Sequence, residues 1–263
     1  MNNTVLRQAP VVANDEVANE IFWMRLKAPQ ISAVNQPGQF INILTNPDGE
    51  PLWRRPFSVA RVSGELIEII YKAIGIGTYQ MAGLQPGDTA NIIGPLGNQF
   101  SVNPEEEGIP LLIGGGLGFA PLVILRDFFV EKGIHPVLFM GALNKNEHYY
   151  REDPDTELFL TTDDGSLGYH GLVTEQLVEY LDKAPGGQKF VAYSCGPEPM
   201  MKAVARICAD RNISLQLSIE REMACGIGLC QGCSIEQRPP HKTYALVCKD
   251  GPIFNAENLA FTE

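Results

Sequence analysis

The sequence predicts an antiparallel β-barrel, then an α/β domain built on a parallel sheet, then a small cysteine-rich C-terminal unit, with boundaries at residues 1–100, 101–219 and 220–263. Three observations predict it. The first hundred residues break into short apolar runs separated by turn signals, strand-like and helix-like runs alternate after that, and four of the six cysteines fall in the last 40 residues. A chain of 263 residues also exceeds the usual length of one domain.

In the first part, strands are expected over residues 5–12, 18–27, 39–45, 57–62, 66–72 and 89–93, with one short helix over 78–82. Pro37-Gly38, the 46–49 segment Asn-Pro-Asp-Gly and Pro86-Gly87-Asp88 supply turns between them, the pattern of a small barrel. After Pro104 and three glutamates the rhythm changes. Apolar runs at 111–113, 136–140, 158–161 and 190–193 suit a buried parallel sheet, and 121–131, 173–181 and 200–211 suit crossover helices, with 213–219 as a last strand. From Glu220 onward no regular pattern is expected, and the chain has no internal repeat.

Composition excludes some roles. Hydrophobic residues at 44% and charged residues at 19% are those of an ordinary folded domain, and a net charge of -11 argues against binding along nucleic acid phosphates or anionic lipid. Residues 108–125 run 18 positions without a charge, the length at which a membrane span is considered, but five glycines and two prolines point to a buried strand, a loop and a helix start. No membrane insertion is expected. The first residues lack a basic segment followed by an apolar run, so a cytoplasmic location is expected, and there cysteines serve metal or redox sites rather than disulfides.

Cys225, Cys230, Cys233 and Cys248 have the spacing C-x4-C-x2-C-x14-C, and the first three match the plant-type [2Fe-2S] loop. Gly226, Gly228 and Gly232 allow backbone to approach inorganic sulfide closely. Zinc is the alternative, but a four-cysteine zinc site usually shows paired C-x2-C knuckles and one pair is missing here. Cys208, within a helix-like segment, reads as a small core residue.

The run from Leu111 through Gly114, Gly115, Gly116, Leu117, Gly118 and Phe119 to Pro121 is a strand, a glycine loop and a helix start, which can receive a pyrophosphate on backbone amides. It departs from G-x-G-x-x-G, since Phe119 stands where the third glycine would be, and no acidic residue occurs near position 138. An ordinary dehydrogenase is therefore not expected. Cys195-Gly196-Pro197 falls at the carboxyl edge of the same expected sheet, where ligands of such sheets bind; a merely buried thiol is the other reading of Cys195.

Arg55-Pro56-Phe57-Ser58, the 114–121 loop, Cys195-Gly196-Pro197 and the terminal cysteines occur in that order. Together they resemble the ferredoxin-NADP reductase superfamily, and within it most closely the electron-transfer subunits of dihydroorotate dehydrogenase B, across essentially the whole chain. The resemblance implies that Arg55 pairs with the FAD pyrophosphate while Pro56, Phe57, Ser58, Ile70, Tyr71, Lys72, Gly77 and Thr78 complete the flavin site. A solvated Arg54-Arg55 pair is the bland alternative. It further implies that Gly114, Gly116, Gly118, Pro121, Gly196 and Pro197 shape an NAD pocket flanked by a loop over 163–171, with Cys195 beside the nicotinamide as the catalytic candidate. The absence of arginine at Gly141-Ala142-Leu143 leans toward NAD over NADP, with Lys145 against. The implied partner is an FMN-containing dihydroorotate dehydrogenase subunit in a heterotetramer with two of each chain. Related reductase subunits of the sulfide dehydrogenase or transhydrogenase type are the rival reading, and a non-catalytic zinc-binding subunit is another.

Overall fold

Alternating burial along the first hundred residues closes six strands into a barrel of order β1-β2-β5-β4-β3-β6. They are β1 (Val5–Ala18), β2 (Ile21–Lys27), β3 (Phe40–Leu44), β4 (Arg55–Ser63), β5 (Leu66–Lys72) and β6 (Thr89–Leu96), with short helices α1 (Pro29–Ser32) and α2 (Ile76–Ala82) between them. The structure is a computed structural model that describes residues 4–46, 49–102, 108–240 and 243–260. Pro47 and Asp48 of the expected turn, Pro104 and the glutamates after it lie outside the described residues.

The main departure in the barrel is β1, which runs to Ala18 rather than ending near residue 12. Register shifts between Val11 and Ala13 and between Glu16 and Ala18 break the alternation that a strand shows in sequence. The chain then reverses at Asn19-Glu20. Glu20 adopts φ 56° with neither glycine nor proline to announce it, its N–H donating to Glu16 Oε1 at 2.9 Å.

The second part forms a seven-stranded sheet, β10-β9-β8-β7-β11-β12-β15. Here β7 is Ile109–Gly115, β8 Val137–Ala142, β9 Glu157–Thr162, β10 Tyr169–His170, β11 Phe190–Cys195, β12 Ser214–Ser218 and β15 Ile253–Asn255. All neighbouring pairs are parallel except β12–β15. Crossover helices α3 (Ala120–Glu131), α4 (Val173–Lys183) and α5 (Glu198–Asp210) cover it. Along β7, Leu111 and Ile113 face the α4/α5 layer while Leu112 faces α3, so both sheet faces are buried. The uncharged 108–125 stretch resolves into β7, a tight turn and the start of α3, and no helix of the described residues is long and apolar enough to cross a membrane.

Residues after Glu220 are more regular than expected: β13 (Ser234–Glu236) pairs with β14 (Tyr244–Leu246), and β15 joins the main sheet. Ile235, Val247 and Leu259 pack into the same core as α5. Asn98, just after β6, ties this tail to the barrel by accepting from Ile253 N at 2.8 Å and donating to the carbonyls of Ile253 and Asp250 at 2.8 and 3.1 Å.

Polar contacts fix the barrel against the sheet. Arg61 of β4 meets Asp127 of α3 at 2.6 Å, and Arg126 beside it reaches Asp153 and Asp155 at 2.5 and 2.7 Å. Farther along, Lys72 of β5 pairs with Glu147 at 2.7 Å and Asn19 N donates to Asn146 O at 2.9 Å.

Candidate functional site

Where β4, β5 and the start of α3 meet, the barrel opens into a cleft of about 460 Å³. Pro56, Phe57, Ser58, Ile70, Tyr71, Lys72 and Thr78 line it from the barrel, and Leu117, Pro121 and residues 218–223 from the sheet. The Tyr71 ring is buried, packed on Phe22 and Phe57, and its hydroxyl donates to Asn14 Oδ1 at 2.9 Å. Burial pushes that phenol well up, so Tyr71 shapes the wall and carries no charge there. The Thr78 hydroxyl accepts from Ile74 N and Gly75 N at 3.0 and 3.1 Å, holding the turn that opens α2. Gly77 stands behind this wall, where a Cβ would come within 2.7 Å of Thr45 Oγ1.

The two arginines before Pro56 differ. Arg54 donates to the Asn91 carbonyl and side chain at 3.0 and 2.5 Å, which makes it part of the barrel frame. Arg55 donates to the Trp53 carbonyl at 2.8 Å and pairs with no carboxylate among the described residues, leaving its fork available to a phosphate.

A second cleft of about 730 Å³ opens over the carboxyl ends of β7, β8 and β11. Gly116, Gly118, Gly196 and Pro197 line it, with Gly141 and Asp163 opposite. Gly116–Phe119 form a 3-10 turn between β7 and α3, the strand-loop-helix arrangement expected of the sequence. A side chain at Gly118 would meet the Gly196 backbone at 2.4 Å, so this glycine seats one loop on the other. Gly114 lies beneath, against Phe119 at 2.7 Å from a Cβ position, and Pro121 faces the first cleft rather than the second.

Leu117, Glu220 and Arg221 belong to both clefts. Arg221 is held by Glu198 at 3.2 Å, and Tyr149 supports the turn beneath by donating to the Gly116 carbonyl at 3.1 Å. Cys195 is fully buried at this junction, its Sγ 4.0 Å from Glu220 Oε1. Burial, and next the Glu220 carboxylate, push the thiol well above its ordinary value, so it is a protonated thiol rather than a thiolate nucleophile. Desolvation by the surrounding protein raises Glu220 as well, although the residue keeps solvent contact. Glu220, Arg221 and Met223 belong to no motif read in the sequence; the available signal was their position just past the last parallel strand, at the ligand edge of the sheet.

Met223 ends the wall of the first cleft, and Cys225 follows two residues later. Positive φ at Gly226, Gly228 and Gln231 turns backbone amides inward. Leu229 N and Cys230 N donate to Cys225 Sγ at 3.3 and 3.4 Å, Gly228 N to Cys248 Sγ at 3.1 Å, and Cys248 N to Cys233 Sγ at 3.4 Å. Burial raises the Cys225 thiol, but the amides of Cys230, Ile227 and Leu229 outweigh it and bring it down to about 6. Cys233 and Cys248 are buried with their sulfurs 3.2 Å apart, and Cys230 is exposed. Amide donors aimed at cysteine sulfurs are what a [2Fe-2S] site requires. Among the described residues, no three Cys, His, Asp or Glu side chains are gathered to hold a single metal ion. Cys208 is buried within α5, apart from this loop.

Comparison with known proteins agrees with this geometry. Residues 220–260 match the iron-sulfur cluster binding domain of dihydroorotate dehydrogenase B, and residues 112–206 match the oxidoreductase NAD-binding domain. The dihydroorotate dehydrogenase B (NAD(+)) electron transfer subunit of Geobacillus sp. (strain WCH70) is 35% identical over 254 residues, 95% of this chain and 96% of the relative. That of Bacillus velezensis is 35% identical over 95% of this chain and 97% of its own length. Among solved structures, the NADH-dependent reduced ferredoxin-NADP oxidoreductase of flavin-based electron bifurcation superposes with a TM-score of 0.84 at 27% identity, over 97% of this chain and 90% of that one. The FAD/NAD-binding domain of the Vibrio cholerae nitric oxide dioxygenase shares the fold, with a TM-score of 0.65 at 17% identity over 81% of this chain and 98% of that one. The chain belongs to the family of dihydroorotate dehydrogenase B electron-transfer subunits, within the ferredoxin-NADP reductase fold.

Proposed function

We infer that this chain is the NAD-linked flavin and iron-sulfur subunit of a dihydroorotate dehydrogenase, carrying electrons from a separate catalytic flavoprotein to NAD in pyrimidine biosynthesis. One observation carries the reading: the two clefts share the Leu117–Glu220–Arg221 wall, and Met223 leads from the first cleft directly to Cys225. Three sites thus stand in sequence within one chain. Bound flavin accepts a hydride yet releases electrons singly, which joins a nicotinamide to a [2Fe-2S] cluster.

The residues divide the work. Arg55 holds the flavin pyrophosphate, and Pro56, Phe57 and Ser58 with the β5 strand form the face against which the ring lies. Gly116 and Gly118 present amides to the dinucleotide, while Arg221, braced by Glu198, guards the seam between the clefts. Cys195, fully buried, closes the floor behind that seam, and Glu220 lines its wall. Cys225, Cys230, Cys233 and Cys248 hold the cluster. The partner carries FMN and oxidises dihydroorotate, two copies of each chain assemble, and the complex works in the cytoplasm.

The test is a partition of activities. The purified chain should hold about one FAD and about two irons and should reduce dyes with NADH, yet oxidise dihydroorotate only after the catalytic subunit is added. Dihydroorotate oxidation by the isolated chain would overturn the reading. Zinc at the cysteines without acid-labile sulfide would overturn the cluster.

A further inference from the structure

Asn42 occupies a position that the fold alone does not explain. It lies on β3, its neighbours Ile41 and Ile43 are fully buried and apolar, and Asn42 itself is 1% exposed. Its Oδ1 is buried without a hydrogen-bond partner, an arrangement that costs stability and that an apolar side chain such as leucine would avoid.

Its surroundings point to electron transfer. Residues two apart on a strand share a face, so Asn42 projects on the same side as Phe40, and their cross-strand partners on β4 are Pro56 and Ser58. Phe40, Pro56 and Ser58 all line the first cleft. Asn42 continues that surface one step toward the cysteine loop. There its Nδ2 fills the space of an absent side chain at Gly226, for a Cβ at that glycine would lie 1.8 Å from it. Gly226 has φ 67° and is bonded to Cys225, so the carboxamide seats the bend that follows the first cysteine, its donor end toward the loop.

We propose that Asn42 is a positioning residue for electron transfer between cluster and flavin: its buried carboxamide locks the Cys225–Gly226 segment against the flavin strand, and its dipole raises the reduction potential of the iron-sulfur centre. The inference rests on reading Cys225–Cys248 as the cluster site. Iron-sulfur potentials respond to nearby hydrogen bonds and charge, and the positive end of a fixed dipole favours the more negative reduced state.

The experiment uses the full chain as wild type, Asn42→Leu and Asn42→Ser, the second in case leucine hinders folding. Iron, sulfide and flavin are counted first, and the potential of the iron-sulfur centre is then measured by redox titration followed by electron paramagnetic resonance. Both variants should retain iron and FAD while the potential moves to lower values and the signal changes shape. Cofactor-replete variants with the wild-type potential would overturn the inference alone. Loss of iron from both variants would reduce Asn42 to a structural support and overturn the tuning role. Absence of iron from the wild type would overturn the cluster reading, and this inference with it.

Discussion

Replacing Gly118 by alanine tests the seam between the two loops that line the second cleft. The added methyl would lie 2.4 Å from Gly196 Cα, 2.5 Å from the Cys195 carbonyl oxygen and 2.5 Å from Gly196 N. All three are backbone atoms, so no rotamer change relieves the overlap, and the Gly116–Phe119 turn must lift from the end of β11. Overpacking typically costs about 1–3 kcal/mol, and a backbone clash belongs at the upper end, about 3 kcal/mol. In a chain of this size that corresponds to a fall in melting temperature of roughly 6–12 °C. The displaced turn carries the amides proposed to receive the dinucleotide; if half of that cost falls on binding, NADH affinity drops about tenfold. Thermal unfolding and NADH titration of the flavin signal measure the two effects, with FAD and iron content unchanged. Gly186→Ala is the control, since a methyl there meets open space. An alanine variant with the parental melting temperature and NADH affinity would refute the claim that Gly118 seats one loop on the other.

Three further outcomes are expected. Arg55→Ala should weaken FAD retention by roughly thirtyfold, about 2 kcal/mol for a charge-assisted pair, with little change in NADH affinity; full flavin content after extensive dialysis would contradict the assignment. Cys225→Ser and Cys233→Ser should abolish dihydroorotate-dependent NAD reduction with the catalytic subunit, while folded variants that keep FAD still reduce dyes with NADH; full coupling in cluster-free protein would contradict it. Burial raises the Asp153 carboxyl, but Arg126, Tyr150 and the amides of Asp155 and Thr156 outweigh it and hold it at about 2 against an ordinary 3.8. A depressed carboxylate stabilises the fold above its unfolded value and loses that contribution as pH falls toward its folded one, so about 2 kcal/mol should disappear between those limits. Acid unfolding of Asp153→Asn should lack that component.

The barrel, the parallel sheet and the cysteine loop were legible in the sequence because each rests on a local pattern: turn residues between short strands, apolar runs alternating with helices, and fixed cysteine spacing. The strand, glycine turn and helix start around residues 114–118 were legible through motif and order. What escaped has a common physical cause. Strand β1 hid its length because bulges disrupt alternation, and the reversal at Asn19-Glu20 uses neither glycine nor proline. β15 is three residues long and gains meaning only from the edge of β12 that it covers. Glu220, Arg221, Met223 and Asn42 reach the site by tertiary adjacency, and no spacing in the chain announces that a polar side chain on β3 will meet Gly226.

The pairing of β15 with β12 has a consequence for how the protein is made. Leu217 and Ser218 of β12 meet Phe254 and Ile253 across a separation of more than 30 residues, and Asn98 bonds to Asp250 and Ile253 across 152 and 155 positions. Such contacts close large loops, so they form late. During synthesis the barrel and the parallel sheet can assemble first, but β12 then presents an uncovered edge until the tail emerges. A chain cut after residue 219 would keep that edge open and should aggregate even with every FAD and NAD residue in place. Because the covering strand is joined to the cysteine loop through a single continuous segment, the loop and the strand that protects the sheet edge emerge together, after the edge that the strand covers.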